Sequence, residues 1–311
     1  MGLRNVCVRA HIHSRREGVG DFFFALLFGI TLLLAGCRSA APARPVTVTD
    51  DLGNQVAVSR DVRRIVSLAP SSTELLFALG FGDRLVGRTR WCDYPAEAAA
   101  VPSVGDGLNP NLEAVAATRP DLVVMYATTA NAPAVEQLRR LGIPAINIRM
   151  DRLADVAHSA RLLARILGDS ARVDSIASRF EFALDSLARV PRKTAPRVAM
   201  IAWDNPPMVI GAGSFLNELI ALAGGKNVFD DLPQPSPTVS IETIAARNPD
   251  LFLSLNSDTT GPSYAARPEW QSIRAVRQKR FQYLHGTEFN RPSFRAAQAV
   301  AQMEALFKGR R

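Results

Sequence analysis

Apolar runs of strand length alternate along this chain with segments whose apolar residues recur at helical spacing. Arg64-Ile65-Val66-Ser67-Leu68-Ala69 and Arg197-Val198-Ala199-Met200-Ile201-Ala202-Trp203 read as strands, as do residues 122–126, 144–149 and 281–285. Thr73-Glu74-Leu75-Leu76-Phe77-Ala78-Leu79 reads as a short apolar helix closed by Gly80, the residue type favoured just past a helix end. Residues 134–141 read as another helix. Such alternation predicts an α/β fold with parallel, helix-covered sheets. Ahead of it, Val46-Thr47-Val48-Thr49-Asp50 and Gln55-Val56-Ala57-Val58 flank Asp51-Leu52-Gly53-Asn54, the pattern of a β-hairpin.

The pattern repeats at half-chain scale. Asn111-Leu112-Glu113-Ala114-Val115-Ala116-Ala117-Thr118-Arg119-Pro120-Asp121-Leu122-Val123-Val124 recurs 129 residues later as Ser240-Ile241-Glu242-Thr243-Ile244-Ala245-Ala246-Arg247-Asn248-Pro249-Asp250-Leu251-Phe252-Leu253. Each copy predicts a short helix, a Pro-Asp break and an apolar strand, because proline disfavours helical geometry in the residue before it. A second match, at an offset of 144, pairs Thr73-Glu74-Leu75-Leu76 with Asn217-Glu218-Leu219-Ile220. Both helices are expected to carry their glutamate in the first turn, where negative charge suits the helix dipole. The repeat predicts two similar lobes, with a ligand cleft where the carboxyl ends of their strands face one another.

Residues 153–190 hold no proline and carry Leu162, Ile166, Ile176, Phe180, Leu184 and Leu187 at helical spacing, with a break at Gly168-Asp169-Ser170. A shorter helix followed by one of about 20 residues fits this stretch, and the second spans ~30 Å. A helical connection predicts lobes that move little relative to one another.

The front of the chain adds an address. An Arg-bearing stretch precedes an apolar run of about 14 residues, 22–35, which is short for a membrane span but suits the core of an export signal. It ends in Leu34-Ala35-Gly36-Cys37, the pattern of a bacterial lipoprotein cleavage site at which Cys37 becomes the acylated first residue. The chain is thus expected to divide into an export segment 1–36, a tether 37–45, a first lobe 46–150, a helical linker 151–192 and a second lobe 193–311. The expected location is extracytoplasmic, on a membrane through the lipid. Net charge is +8 over 311 residues, and the basic residues are spread rather than packed in a run, which argues against a nucleic-acid partner. Cys92 is alone in the expected mature chain, so neither an internal disulfide nor a cysteine metal site is expected.

Taken together, the hairpin, Arg64-Ile65-Val66-Ser67-Leu68-Ala69-Pro70-Ser71-Ser72-Thr73-Glu74, Cys92-Asp93-Tyr94-Pro95 and Gly211-Ala212-Gly213-Ser214-Phe215-Leu216-Asn217-Glu218 resemble the helical-backbone class of ABC-transporter substrate-binding proteins. That class serves cobalamin, ferric siderophores and haem. The resemblance covers residues 46–307 and is greatest to the cobalamin carriers. It implies a monomeric carrier that hands a corrinoid, or another metal chelate, to a dimeric ABC permease. It also implies one permease-docking glutamate on each lobe, at Glu74 and Glu218. Ser71-Ser72-Thr73-Glu74 fits a capping box as well, with Ser71 as N-cap, so capping competes with docking for Glu74.

A corrinoid is large, flat and amphipathic, and calls for aromatic faces with a few amide-binding groups. The resemblance places ligand contacts at Pro70, Ser71, Ser72, Trp91, Tyr126, Trp203 and Arg291, with residues 234–237 on the cleft rim. Thr287 stands where the family carries an acid, with Glu288 beside it, a departure that bears on ligand choice. No catalytic residues, metal site or resident cofactor are expected. A siderophore or haem carrier of the same class is the nearest alternative: the first needs clustered arginines, such as Arg88 and Arg90, and the second an axial ligand. An enzyme or cofactor protein on a nitrogenase-like two-lobed fold is disfavoured. It needs cluster-ligating cysteines, and the chain has neither a nucleophile elbow nor a Gly-rich phosphate loop.

Overall fold

The computed structural model describes residues 45–107, 110–192, 195–255 and 261–309. The export segment, Cys37 and all but the last residue of the tether lie outside them.

The front hairpin forms as expected, β1 (Val46–Thr49) pairing antiparallel with β2 (Gln55–Val58). Asp50 organises its turn. One carboxylate oxygen accepts the N–H groups of Leu52 and Asn54 at 3.1 and 2.8 Å, while Gly53 takes the positive φ of 85° that the reversal requires.

The first sheet has the order β4-β3-β5-β6, all parallel, from β3 (Ile65–Ser67), β4 (Leu85–Arg88), β5 (Leu122–Tyr126) and β6 (Ala145–Ile148). Helices α1 (Pro70–Ala78), α2 (Leu112–Ala117) and α3 (Ala132–Arg140) make its crossovers. Asp50 and Asp51 cover the outer edge of β6. The second Asp50 oxygen accepts the backbone and side-chain N–H groups of Asn147 at 3.2 and 2.8 Å, and an Asp51 oxygen accepts the N–H of Arg149 at 2.6 Å.

Two helices follow, α4 (Leu153–Leu167) and α5 (Ser170–Ala188), divided where Gly168 and Asp169 take positive φ. The 19 residues of α5 span ~28 Å. The second sheet runs β11-β10-β7-β8, with β9 also beside β7. Its strands are β7 (Arg197–Asp204), β8 (Pro207–Val209), β9 (Lys226–Asn227), β10 (Leu251–Ser254) and β11 (Phe281–Tyr283). Around it lie α6 (Phe215–Leu222), α7 (Ile241–Arg247), α8 (Arg274–Arg277) and α9 (Ala296–Lys308). One strand departs from the parallel pattern: β8 folds straight back on β7 through Asn205-Pro206 and is antiparallel.

The repeat survives at atomic detail. Arg119 and Asn248, each just before a proline, both take left-handed φ, 49° and 44°. Asp121 accepts the backbone N–H of Arg64 at 2.9 Å, and Asp250 that of Arg197 at 3.0 Å. The guanidinium of each arginine lies 2.6 Å from a carbonyl at the end of the short helix that comes before the Pro-Asp step, at Thr118 and Arg247. Packing follows the period of two. Ile65, Leu122, Val124, Val198, Met200, Leu251 and Leu253 face a core shared with α4 and α5. The residues between them, Val66, Val123 and Met125 in one lobe and Ala199, Ile201 and Phe252 in the other, build a separate core on each sheet's far face.

Asp50 is 4% exposed. Burial alone would raise its pKa, but the hydrogen bonds from Asn147 and Asn54 outweigh it and hold the carboxyl below its ordinary 3.8. A depressed carboxyl contributes stability above its unfolded pKa, and that contribution is lost as pH falls through the folded one. Asp50→Ala is expected to lower the unfolding free energy by about 1–3 kcal/mol at pH 7, since it orphans the buried Asn147 amide. The difference from the native chain should shrink below about pH 4 in denaturant titrations. A gap that stays constant with pH would assign the loss to packing instead.

Candidate functional site

The carboxyl ends of the two sheets enclose a cleft of about 860 Å³. The first lobe supplies Pro70 and Ser71 at the start of α1, Trp91 after β4 and Tyr126 at the end of β5; the second supplies Gly213, Pro233, Pro235 and Arg291. Helix α1 starts here because Pro70 occupies its first turn, where a missing N–H costs nothing, after an extended Ala69. On the other side, Gly211 and Gly213 let the chain pass under the 232–235 loop. A Cβ on Gly213 would stand 2.5 Å from the Pro233 carbonyl.

Five of the seven expected ligand contacts, Pro70, Ser71, Trp91, Tyr126 and Arg291, line this cleft together. Trp91 is 59% exposed, its indole N–H donating to Asp106 at 3.1 Å, so one aromatic face is presented on a fixed ring. The Tyr126 hydroxyl donates to Asp151 at 2.5 Å. Burial pushes this phenol up, and the Asp151 carboxylate adds to the shift, to about 12.

Ser72 and Trp203 are corrections. Ser72 is fully buried beneath the cleft, its hydroxyl bound to Ser67 at 2.7 Å and to the Ala69 carbonyl at 2.9 Å. Its place at N3 of the helix turns it inward while Ser71 faces the cleft. Trp203 is 61% exposed near the end of β7 but does not line the cleft; its N–H is held by the Asn205 carbonyl at 2.8 Å, where the chain turns back into β8.

The glutamates are also a correction. Glu74 is not on an outer face: it is 4% exposed and bound by Arg291 at 3.0 Å and by Arg295 at 2.7 and 2.8 Å. Nor is it a capping residue, since α1 begins before it with Ala69 as N-cap and no side-chain cap. It therefore sits beyond the first turn, whereas Glu218 keeps its first-turn position. Glu218 binds the Arg152 guanidinium at 2.6 Å and accepts the N–H of Leu153 at 2.8 Å, at the start of α4. Both carboxylates are occupied within the chain.

Arg291 reaches the cleft already compensated by Glu74 and by Asp93. Glu288 is buried and paired with Arg295 at 3.0 Å, away from the cleft. Arg295 lies 3.7 Å above the Tyr94 ring, so the Cys92-Asp93-Tyr94-Pro95 segment meets the second lobe through Asp93 and Tyr94. Cys92 is packed against the hydroxyls of Thr73 and Thr89 at 3.0 and 3.2 Å. His158 binds Asp51 at 2.8 Å, which fastens α4 to the hairpin turn.

The acids left exposed at equivalent places are Glu113 and Glu242, the first-turn glutamates of α2 and α7. Each follows an N-cap that accepts an N–H from its own helix, Asn111 at 3.0 Å and Ser240 at 3.2 Å. The signal for this pair was in the sequence: Glu113 and Glu242 occupy the same position of the repeat at offset 129.

Among the described residues no cluster of three or more His, Cys, Asp or Glu side chains is arranged to hold a metal, and no helix is long and apolar enough to cross a membrane. Comparison with known proteins gives a consistent picture. The vitamin B12-binding protein of Vibrio parahaemolyticus is 29% identical over 245 residues, which cover 78% of this chain and 88% of that one. YvrC, an uncharacterized ABC transporter substrate-binding lipoprotein of Bacillus subtilis, is 28% identical over 286 residues, covering 86% and 89%. The crystal structure of the periplasmic vitamin B12-binding protein BtuF of Vibrio cholerae superposes with a TM-score of 0.67 at 27% identity, over 79% of this chain and 97% of that one. The periplasmic binding protein profile matches residues 65–287. With the two lobes, the helical linker and the cleft between them, this chain belongs to the periplasmic binding protein family.

Proposed function

We propose that this protein is the substrate-binding component of an ABC importer and that its cargo is cobalamin or a related corrinoid. The observation that carries this reading is the chemistry of the cleft: a large slot with exposed aromatic faces in which two of the three lining arginines are paired with carboxylates of this chain. Arg291 is matched by Glu74 and Asp93 and Arg152 by Glu218, while the Arg149 guanidinium, also on the cleft, reaches the Asp51 carbonyl at 3.4 Å. A corrinoid offers broad apolar faces rimmed by neutral amides, which such a wall can meet by stacking and hydrogen bonding. A polyanionic ferric siderophore calls for a cluster of uncompensated cations, and among the described lining arginines only Arg149 stands outside the ion pairs seen here. Haem calls for an axial ligand, and the hydroxyl of Tyr126, the phenol on this cleft, is already engaged as a donor to Asp151.

The protein works as a carrier, held on the outer side of a membrane by lipid on Cys37, with 37–45 as tether. The lipoprotein relative from Bacillus subtilis supports this. Handover uses Glu113 and Glu242, one on each lobe, as the carboxylates that meet basic residues of a roughly two-fold permease. Exposed, equivalent and uncommitted to basic partners in the ion pairs seen here, they replace Glu74 and Glu218 in that role.

Titration of the Cys37→Ser chain with cyanocobalamin, a ferric catecholate, a ferric hydroxamate and haemin separates the cargoes. Submicromolar binding of cyanocobalamin is expected; tighter binding of any other ligand sinks the corrinoid reading. Trp91→Ala is expected to weaken cobalamin binding about tenfold, read by calorimetry, through loss of a stacking face. For handover, Glu113→Ala with Glu242→Ala should leave ligand affinity within about twofold and cut uptake by about tenfold or more in a transport assay. Unchanged uptake would remove these two glutamates from the receptor surface.

A further inference from the structure

The two glutamates that turned out to be occupied are occupied in a symmetric way. Strands β3, β5 and β6 of the first lobe correspond to β7, β10 and β11 of the second: both sheets run in that neighbour order, and Arg64 and Arg197 enter β3 and β7 with the same hydrogen bonds to Asp121 and Asp250. Glu74 lies on α1, which follows β3, and its partners Arg291 and Arg295 lie beyond β11 in the other lobe. Glu218 lies on α6, which follows the β7–β8 hairpin, and its partner Arg152 lies beyond β6. Each lobe thus offers a carboxylate from its first helix to an arginine after the other lobe's edge strand. This exchange is the pattern of an isologous interface, made here within one chain.

The two ties differ in depth. The side chains at the first are nearly closed to solvent: Glu74 at 4%, Arg291 at 9%, Arg295 at 14% and Glu288 at 5%. Arg295 binds both Glu74 and Glu288, and Arg291 adds Asp93, so separating the lobes here strands several buried charges at once. The second tie is one ion pair at the cleft wall, with Arg152 44% exposed and Glu218 23%, plus one hydrogen bond from the Leu153 N–H to Glu218. Water and salt can replace its partners as it opens.

We infer that the lobes pivot about the buried Glu74–Arg291–Arg295 cluster and part at the Glu218–Arg152 pair, so that the cleft opens from one side only. The linker helices limit the swing, and the exposed pair sets how often it happens. The pivot concerns the lobes alone and holds whatever the cargo is, so it is tested without ligand.

Two pairs of spin labels on the full chain, with Cys7 and Cys37 replaced by serine, read the two sides. Leu141→Cys with Ala221→Cys reports the Glu218 side, and Glu97→Cys with Gln298→Cys reports the Glu74 side; all four positions are exposed. In double electron–electron resonance, Glu218→Gln is expected to lengthen and broaden the 141–221 distance and leave the 97–298 distance narrow. About 1 M NaCl on the native pair, where the screening length falls to ~3 Å, should move it in the same direction. Arg152→Gln should reproduce Glu218→Gln, which guards against an effect peculiar to one substitution. Any other pattern overturns the inference: both distances unchanged, both widened together, or only the 97–298 distance widened.

Discussion

A carboxylate taken out of water must be matched, and Glu74 is matched by two guanidinium groups from the far end of the chain. Much of the site depends on that one requirement. Arg291 and Arg295 fix the segment between β11 and α9, and Arg291 becomes part of the cleft because it is drawn to Glu74. Asp93 is brought in by the same arginine, and Tyr94 lies under the other, so the loop that carries Trp91 is tied at its far end to the opposite lobe. A group that reads as a surface feature in one dimension is, in three, the point where the two halves and the ligand wall meet.

The duplication explains why this was hard to see. Helix, strand and break were legible because they are local: the Pro-Asp steps, the glycine stops and the alternation that divides Val66 from Ile65 and Phe252 from Leu251 all act over a few residues. The two linker helices and their break at Gly168-Asp169 were legible for the same reason. The β8 strand was not, because a three-residue return on β7 carries no period of its own.

Site residues divide along the same line. Pro70, Ser71, Trp91, Tyr126 and Arg291 could be placed by their position after strand ends. Ser72 and Trp203 could not, since a shift of one residue on a helix, or a turn into a hairpin, moves a side chain out of the cleft without altering the pattern. The glutamates failed for a different reason. Two acids at equivalent positions of a repeat announce a symmetric role, but sequence does not say whether the symmetric partner is another protein or the other half of the same one. The repeat held two such pairs, and only burial tells them apart: Glu74 and Glu218 turn inward, Glu113 and Glu242 outward.

The walls of the cleft break the symmetry that the lobes otherwise keep. Trp91 and Tyr126 both come from the first half, whereas the second half presents Pro233, Pro235 and a glycine turn too close-packed to admit a side chain at Gly213. One wall carries both exposed aromatic faces, and the other carries the prolines together with the compensated Arg291. A guest whose two faces differ therefore meets different chemistry at the two walls. Two lobes alike in their strands and in their ties thus present unlike surfaces to the space between them.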